Sequence, residues 1–272
     1  MDITGCAFVI GASGIGRSCA IAFANAGASS LTVADINLDA ALAVAKECQS
    51  VSSNPLFRAE GVRIDVTLED SVKAAIHHAV STFGRIDYCV NSAGVGVKIA
   101  AETAEANVEE FNNMLKVNAT GTFIVTRTMS AIMKAQESHP IDPSFPGRGT
   151  TRGSIVNLGS ASSFVATPKM VQYTASKHAV IGITKNAALD NAAYGVRVNS
   201  VCPSWVDTPM MRKAMDDIPG LEKMIESAVP LGRIATAEEV ADTVMFLCSP
   251  KSSYATGCNL ILDGGTTLSS NI

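Results

Sequence analysis

Short apolar runs alternate along the chain with longer stretches in which apolar positions recur at helical spacing. CAFVI, SLTVAD, GVRID, IDYCVN, SIVNL, VRVNSVC and NLILD are brief, nearly continuous in apolar character and followed each time by a helical pattern. Runs of that kind read as strands covered on both faces, because a sheet with one wet face would alternate strictly between apolar and polar positions. Seven strands separated by helices predict an α/β architecture: a doubly wound, seven-stranded parallel sheet with helices on both sides. No internal repeat is visible.

Two segments break the rhythm. Residues 136–152 carry Pro140, Pro143 and Pro146 among glycines, which rules out a regular helix and predicts a surface loop inserted into the domain, since the alternation resumes unchanged at Gly153. Residues 203–230 are rich in methionine and bracketed by Pro203 and Pro230, which reads as a mobile lid over a substrate. At 272 residues, 47% hydrophobic and 17% charged, the chain is long enough and apolar enough to form one large domain, 1–272. A net charge of -4 and a pI near 5.6 offer no footprint for nucleic acid and favour small-molecule partners. Seven cysteines without metal-type spacing suit a reducing compartment and predict no metal site; Cys6, Cys89, Cys202 and Cys248 sit in apolar runs that look like core. GCAFVIG is too short for a signal core or a membrane span, so the expected location is cytoplasmic, with no membrane partner.

The stretch QYTASKH, residues 172–178, places Tyr173 and Lys177 four residues apart, on one face of a helix. An ammonium beside a phenol favours the phenolate, which suits proton transfer, although the same spacing also serves a plain amphipathic helix. Near the N-terminus, VIGASGIGRSCAIAFANAG passes from a strand through Gly11, Gly14 and Gly16 into a helix. Glycines there let the backbone approach a diphosphate, and the helix start offers free N–H groups and a favourable dipole. Asp35 ends the next strand nineteen residues after Gly16, where a carboxylate can accept both hydroxyls of an adenosine ribose and repel a 2′-phosphate. Ile36 and Asn37 follow where a compensating arginine would stand, so NAD is expected over NADP, with Arg17 the one basic residue able to reverse that preference; a carboxylate capping the next helix is the alternative for Asp35.

These motifs, together with RIDV at Asp65, NSAG from Asn91 to Gly94, KVNATG, SIVNLGSASS, YTASK, CPSWVDT and ATGCNLILDGG, resemble the short-chain dehydrogenase/reductase family over nearly the whole chain. The resemblance implies a Rossmann-type domain that moves a hydride between NAD and a CH–OH group. It implies a catalytic set of Asn118, Ser160, Tyr173 and Lys177. Tyr173 would be the general acid or base, Lys177 would hold the nicotinamide ribose, Ser160 would bond the reacting oxygen and Asn118 would hold a relay water. Ser160 precedes Tyr173 by thirteen residues, the family's separation. The cofactor set would be Gly11, Ser13, Gly14, Ile15, Gly16, Asp35, Asp65, Val66, Asn91, Ala93, Gly94, Tyr173, Lys177, Pro203, Val206 and Thr208. Asn118 lies where β-branched residues and Gly121 weaken a helix, so a local bend that frees a carbonyl is expected.

For the substrate, Ser160, Phe164, Tyr173, Trp205, Met210 and Met211 compose an adaptable apolar surface that suits a lipophilic secondary alcohol or ketone of steroid, terpenoid or polyketide type, as secondary metabolism uses. The resemblance also implies a homodimer or homotetramer, and the charge-poor helix predicted over 173–193 suits burial beyond its own domain. Two departures stand out. Ile10 replaces the family's threonine, and only Ala12 and Ser13 separate Gly11 from Gly14, one residue fewer than usual. Ser204 stands where glycine is usual, at a turn that would prefer positive φ. Both touch cofactor binding, so a catalytically weak dinucleotide-binding scaffold or regulatory subunit stands as the second class of function.

Overall fold

In a computed structural model that describes residues 3–268, seven strands form one parallel sheet. They are β1 (Cys6–Ile10), β2 (Ser30–Asp35), β3 (Arg58–Arg63), β4 (Tyr88–Asn91), β7 (Gly153–Leu158), β8 (Val196–Pro203) and β9 (Asn259–Leu262), in spatial order β3-β2-β1-β4-β7-β8-β9. This is the doubly wound Rossmann-type sheet that the apolar runs predict. The chain winds outward from β1 to β3 and then crosses to β4 on the other side. That reversal opens a crevice at the carboxyl ends of β1 and β4.

The strands are apolar because both faces are covered. On one side α1 (Gly14–Asn25), α2 (Leu38–Val51) and α9 (Ala237–Cys248) bury Phe23, Val44 and Val244 against Val9, Leu31 and Val156. On the other, α3 (Glu69–Phe83), α5 (Thr122–Ala135) and α6 (Val171–Ala192) bury Ile76, Met129 and Ala188 against Phe8, Ile155 and Val198. Burying each such large side chain contributes about 1.5–3 kcal/mol, so the sheet is the rigid frame on which the loops at its carboxyl edge are hung. The edge strand β3 begins and ends earlier than GVRID suggested. Its side chains are half-exposed, and the Asp65 N–H leaves the ladder for the Ser71 hydroxyl at 2.8 Å.

Residues 136–152 contain no α-helix. They form a small antiparallel ribbon, β5 (His139–Pro140) with β6 (Thr150–Thr151), around a 3₁₀ turn at Pro146–Arg148. Gln136 and Arg152 pin the ribbon to the carbonyls of Ile86 and Tyr194, at the amino ends of the strands and therefore away from the crevice. Residues 203–230 leave the sheet as α7 (Pro209–Asp217) and α8 (Leu221–Ala228). A bridge between Val206 and Ala235 closes the base of this excursion. Ile225 and Val229 anchor it, while Met210, Ile218 and Met224 stay exposed. Among the described residues no helix is long and apolar enough to cross a membrane.

Candidate active site

The crevice holds a cleft of about 590 Å³. One end is built by the glycine turn. Gly11 leaves β1 at φ +107°, and Gly14 opens α1 at φ +47°. A Cβ on Gly16 would stand 2.1 Å from the Gly11 carbonyl oxygen, so only glycine allows helix and turn to meet this closely. Ser13 precedes the helix in extended conformation without capping it by its side chain, which leaves the first-turn N–H groups of Gly14, Ile15 and Gly16 for a ligand. A Cβ on Gly14 would lie 2.9 Å from Cγ2 of Thr208, so the start of the lid rests on the same turn.

Asp35 does not cap the following helix. Asn37 does so, accepting the Ala40 N–H at 3.2 Å. The two oxygens of Asp35 accept N–H groups of Ala12 at 2.7 Å and Asn37 at 2.9 Å, and each retains capacity for a hydroxyl. The Arg17 guanidinium is engaged by both oxygens of Glu47. Beside Asp35, Asp65 accepts the Thr67 hydroxyl at 2.7 Å and the Thr67 N–H at 2.9 Å. The Thr67 hydroxyl, aided by its N–H and by the charges of Lys116 and Arg63, holds the Asp65 carboxyl below its usual range against the opposing effect of burial. These residues fit a dinucleotide: an uncapped helix start for the diphosphate, and acceptors for ribose and adenine.

The other end gathers the four polar residues of the expected catalytic set. Leu115–Gly121 forms a π-helical turn between α4 (Val108–Met114) and α5, the local bend that the β-branched residues foretold. Within it Asn118, 1% exposed, receives the Val95 N–H at 2.8 Å and donates to the Val95 carbonyl at 3.0 Å. Its amide also donates to the Ser176 hydroxyl at 3.1 Å, which in turn donates to the Tyr173 carbonyl. The Asn118 backbone carbonyl accepts the Thr122 hydroxyl at 2.7 Å. Ser160 ends the segment after β7 and accepts the Ser162 N–H at 3.1 Å, so it does cap its own turn, as a strand-end serine can, while its hydroxyl proton is free to donate. Lys177 is buried, with Nζ 5.7 Å from the Tyr173 ring centroid and bonded to the Leu158 carbonyl at 2.9 Å. A Cβ on Gly94 would come within 3.3 Å of Asn118 Oδ1 and 3.7 Å of Lys177 Nζ, so the missing side chain keeps open the space between them.

Of the residues singled out in the sequence, the cleft lining includes Gly11, Ser13, Gly14, Ile15, Asp35, Asp65, Val66, Ala93, Gly94, Ser160, Tyr173, Lys177, Pro203, Val206, Thr208, Met210 and Met211. Gly16, Asn91 and Asn118 stand behind the lining; Phe164 and Trp205 are not part of it. Asn91 is buried and donates to the Thr122 hydroxyl at 3.3 Å. Sequence reasoning did not single out Thr67, Asn113 or Lys116, which also line the cleft. Thr67, two residues after an aspartate, carried a turn signal, whereas Asn113 at the end of α4 and Lys116 in the π turn carried none. Lys169 is the one non-glycine residue at positive φ among those described, so the Ser204 turn avoids the strained region. Among the described residues no cluster of His, Cys, Asp or Glu is arranged to hold a metal.

The crevice thus joins a glycine turn that fits a dinucleotide to a polar end that holds a serine, a tyrosine and a lysine. Residues 9–267 match the family described as enoyl-(acyl carrier protein) reductase. The chain is 69% identical over 272 residues to the short-chain dehydrogenase srdC of Neurospora crassa, covering 100% of both. It is 36% identical over 268 residues to the 2,5-dichloro-2,5-cyclohexadiene-1,4-diol dehydrogenase of Sphingobium indicum, covering 98% of both. A short-chain type dehydrogenase/reductase from Mycobacterium marinum superposes with a TM-score of 0.85 at 29% identity, over 98% of each chain. The chain therefore belongs to the short-chain dehydrogenase/reductase family of oxidoreductases.

Proposed function

We propose that this protein is an NAD(H)-dependent oxidoreductase that interconverts a lipophilic secondary alcohol and its ketone, with Tyr173 as general acid and base. The observation that carries the reading is the convergence of Ser160, Tyr173 and Lys177, backed by Asn118 through Ser176, at one end of a cleft whose other end offers the uncapped helix start and Asp35. NAD, when bound, accepts or returns the hydride of the carbinol carbon. Gly14, Ile15 and Gly16 hold its diphosphate, Asp35 its adenosine ribose and Asp65 with Val66 its adenine edge. In oxidation Tyr173 Oη takes the hydroxyl proton of the alcohol, and in reduction it gives that proton back. Ser160 donates a hydrogen bond to the reacting oxygen, orienting it and stabilising the charge that develops there. Lys177, already bonded to the Leu158 carbonyl, has two further protons for the ribose and for a water beside Asn118.

No arginine is among the residues lining the cleft at Asp35, which supports NAD over NADP, although Arg63 on β3 is the exposed register partner of Asp35. Apart from Lys177, the charged cleft residues Asp35, Asp65 and Lys116 gather around the adenosine end, while the lid contributes Pro209, Met210 and Met211, which supports a neutral, apolar substrate. The Sphingobium relative is named for a ring diol. We read the chain as one NAD-binding domain with 203–230 as its substrate lid. Seven free cysteines, six of them buried, support a reducing cytoplasmic setting. Phe123 on α5 and Leu189 on α6 are exposed apolar side chains that support a homo-oligomer.

The short glycine loop favours a second reading, a scaffold that binds dinucleotide weakly and does not turn over. NADH binding followed by fluorescence, and then NAD reduction at 340 nm with a panel of cyclohexanol, 2-decanol and borneol, separates the two. Binding with turnover supports the enzyme. Binding without any turnover across the panel favours the scaffold.

A further inference from the structure

Ser163 lies three residues past Ser160, is 3% exposed and has no part in the roles assigned above. Its hydroxyl accepts the Ser160 N–H at 3.2 Å and donates to the backbone carbonyl of Lys177 at 2.8 Å. The first bond belongs to the capping box of the short turn at Ala161–Ser163, and a capping box is complete with the reciprocal bonds between its two ends. The second bond is not required by that turn, because it crosses to another element. Nor does α6 require it, since a carbonyl inside a helix already has the N–H four residues on. A Cβ on Gly159 would stand 3.1 Å from Ser163 Oγ and 2.5 Å from Cys202 Sγ, so the hydroxyl is packed closely between Gly159 and the Cys202 thiol, which is also within its hydrogen-bonding reach. One O–H group thus seats the Ser160 turn on the helix that carries both Tyr173 and Lys177.

We propose that Ser163 is a positioning residue, holding Ser160 at the correct place relative to Tyr173 by bridging the Ser160 N–H to the Lys177 carbonyl. The proposal rests on the proton-transfer roles given above. Positioning errors well under the length of a bond contact are costly in such sites, so losing the bridge lowers turnover without removing any group that touches the reactants.

The test compares Ser163→Ala with the wild type and repeats the substitution in a Ser160→Ala background, using the fastest alcohol of the panel. The expected result is a kcat lower by about tenfold with KM for NAD within about twofold, and a larger isotope effect from the carbinol-deuterated alcohol. In the Ser160→Ala background the same change costs less than about twofold, because a residue that acts through Ser160 has nothing left to position. Ser163→Thr, which keeps the hydroxyl, returns most of the lost kcat. An undiminished kcat, an equal loss in both backgrounds, or a Ser163→Ala chain that fails to fold by circular dichroism overturns the proposal. If Tyr173→Phe is inactive while Ser163→Ala is normal, this inference alone falls; if Tyr173→Phe keeps its activity, the functional reading itself is wrong.

Discussion

The two ends of the cleft are held in different ways. At the polar end Asn118, Ser160 and Lys177 are 1%, 8% and 6% exposed. Asn118 and Lys177 are bonded to residues far apart in sequence, Asn118 to Val95 and Ser176, and Lys177 to Leu158 and Ser163, while Ser160 is held within its own turn by Ser162 and Ser163. At the adenosine end Asp35 and Asp65 are half-buried; Asp65 is held by Thr67, two positions on, and Asp35 by Asn37, two positions on, and by the Ala12 N–H of the glycine turn. Proton transfer needs atoms placed within a fraction of an ångström, which only a buried and cross-linked network supplies. Recognition of ribose and adenine tolerates a local turn that water can reach. Damage at the first end should therefore abolish turnover, and damage at the second should produce graded losses of affinity.

The largest effect is expected at Tyr173. Tyr173→Phe removes only the proton-transfer group and should lower kcat by ~10²-fold or more while NADH affinity stays within a few-fold. Lys177→Ala should damage both, since Nζ faces the cleft and is bound to the Leu158 carbonyl. Fluorescence titration with NADH and initial rates on one alcohol measure the split. A Tyr173→Phe enzyme with more than about a tenth of wild-type kcat would erase the distinction between the two ends.

Next in size is Asp35. The wild type should prefer NAD over NADP by at least about tenfold in kcat/KM, equal to roughly 1.4 kcal/mol. Asp35→Ala should shrink that ratio and also weaken NADH binding, because the Ala12 N–H loses its acceptor along with the ribose. A wild-type preference for NADP would show that the carboxylate serves only the glycine turn. The turn itself can be tested by inserting one glycine after Gly11. The Ala12 N–H is spent on Asp35, so a further loop N–H should tighten NADH binding while kcat at saturating cofactor is unchanged. An insertion that abolishes binding in a folded chain would mean that the short loop is a complete geometry of its own.

Legibility in the sequence follows the same division. The sheet could be read because its strands are buried on both faces and so lack polar interruptions, as the fully buried β1 and β7 show. The limits of β3 could not, because an edge strand is half-exposed and its end is decided by the Ser71 hydroxyl. The ribbon inside 136–152 left no period among its prolines. Tyr173 and Lys177 share a helix face, so spacing alone paired them, and the resemblance supplied Ser160 and Asn118. The serines that connect these residues were invisible. Which hydroxyl meets which carbonyl depends on how α6 lies against the Ser160 turn, and no local pattern encodes that. Lys116 was missed for a related reason: it lies in the π turn, where regular helical spacing does not assign a face.

The smallest effect is expected at Thr67, and it tests whether the adenosine end is as locally built as its hydrogen bonds suggest. The Thr67 hydroxyl is the main cause of the lowered titration of Asp65. A carboxyl whose folded-state pKa is depressed contributes stability that is present above its unfolded value, about 3.9, and is lost as pH falls through the lower folded value. In the wild type Asp65 thus keeps its charge further into acid than a free aspartate does, and NADH affinity should hold correspondingly further. Thr67→Val deletes the hydroxyl but leaves the Thr67 N–H bond in place. The loss should be about twofold in NADH affinity at neutral pH, small because the site is half-exposed and water can replace the donor. The acid limb of affinity against pH should move upward, and the melting-temperature gap between variant and wild type should narrow as pH falls below 4. Turnover at saturating cofactor should not change. A Thr67→Val enzyme with reduced kcat would show that the two ends are mechanically coupled, with the rigid polar network extending through Val66 and Gly121, whose absent Cβ lets the Val66 side chain pack against the π turn.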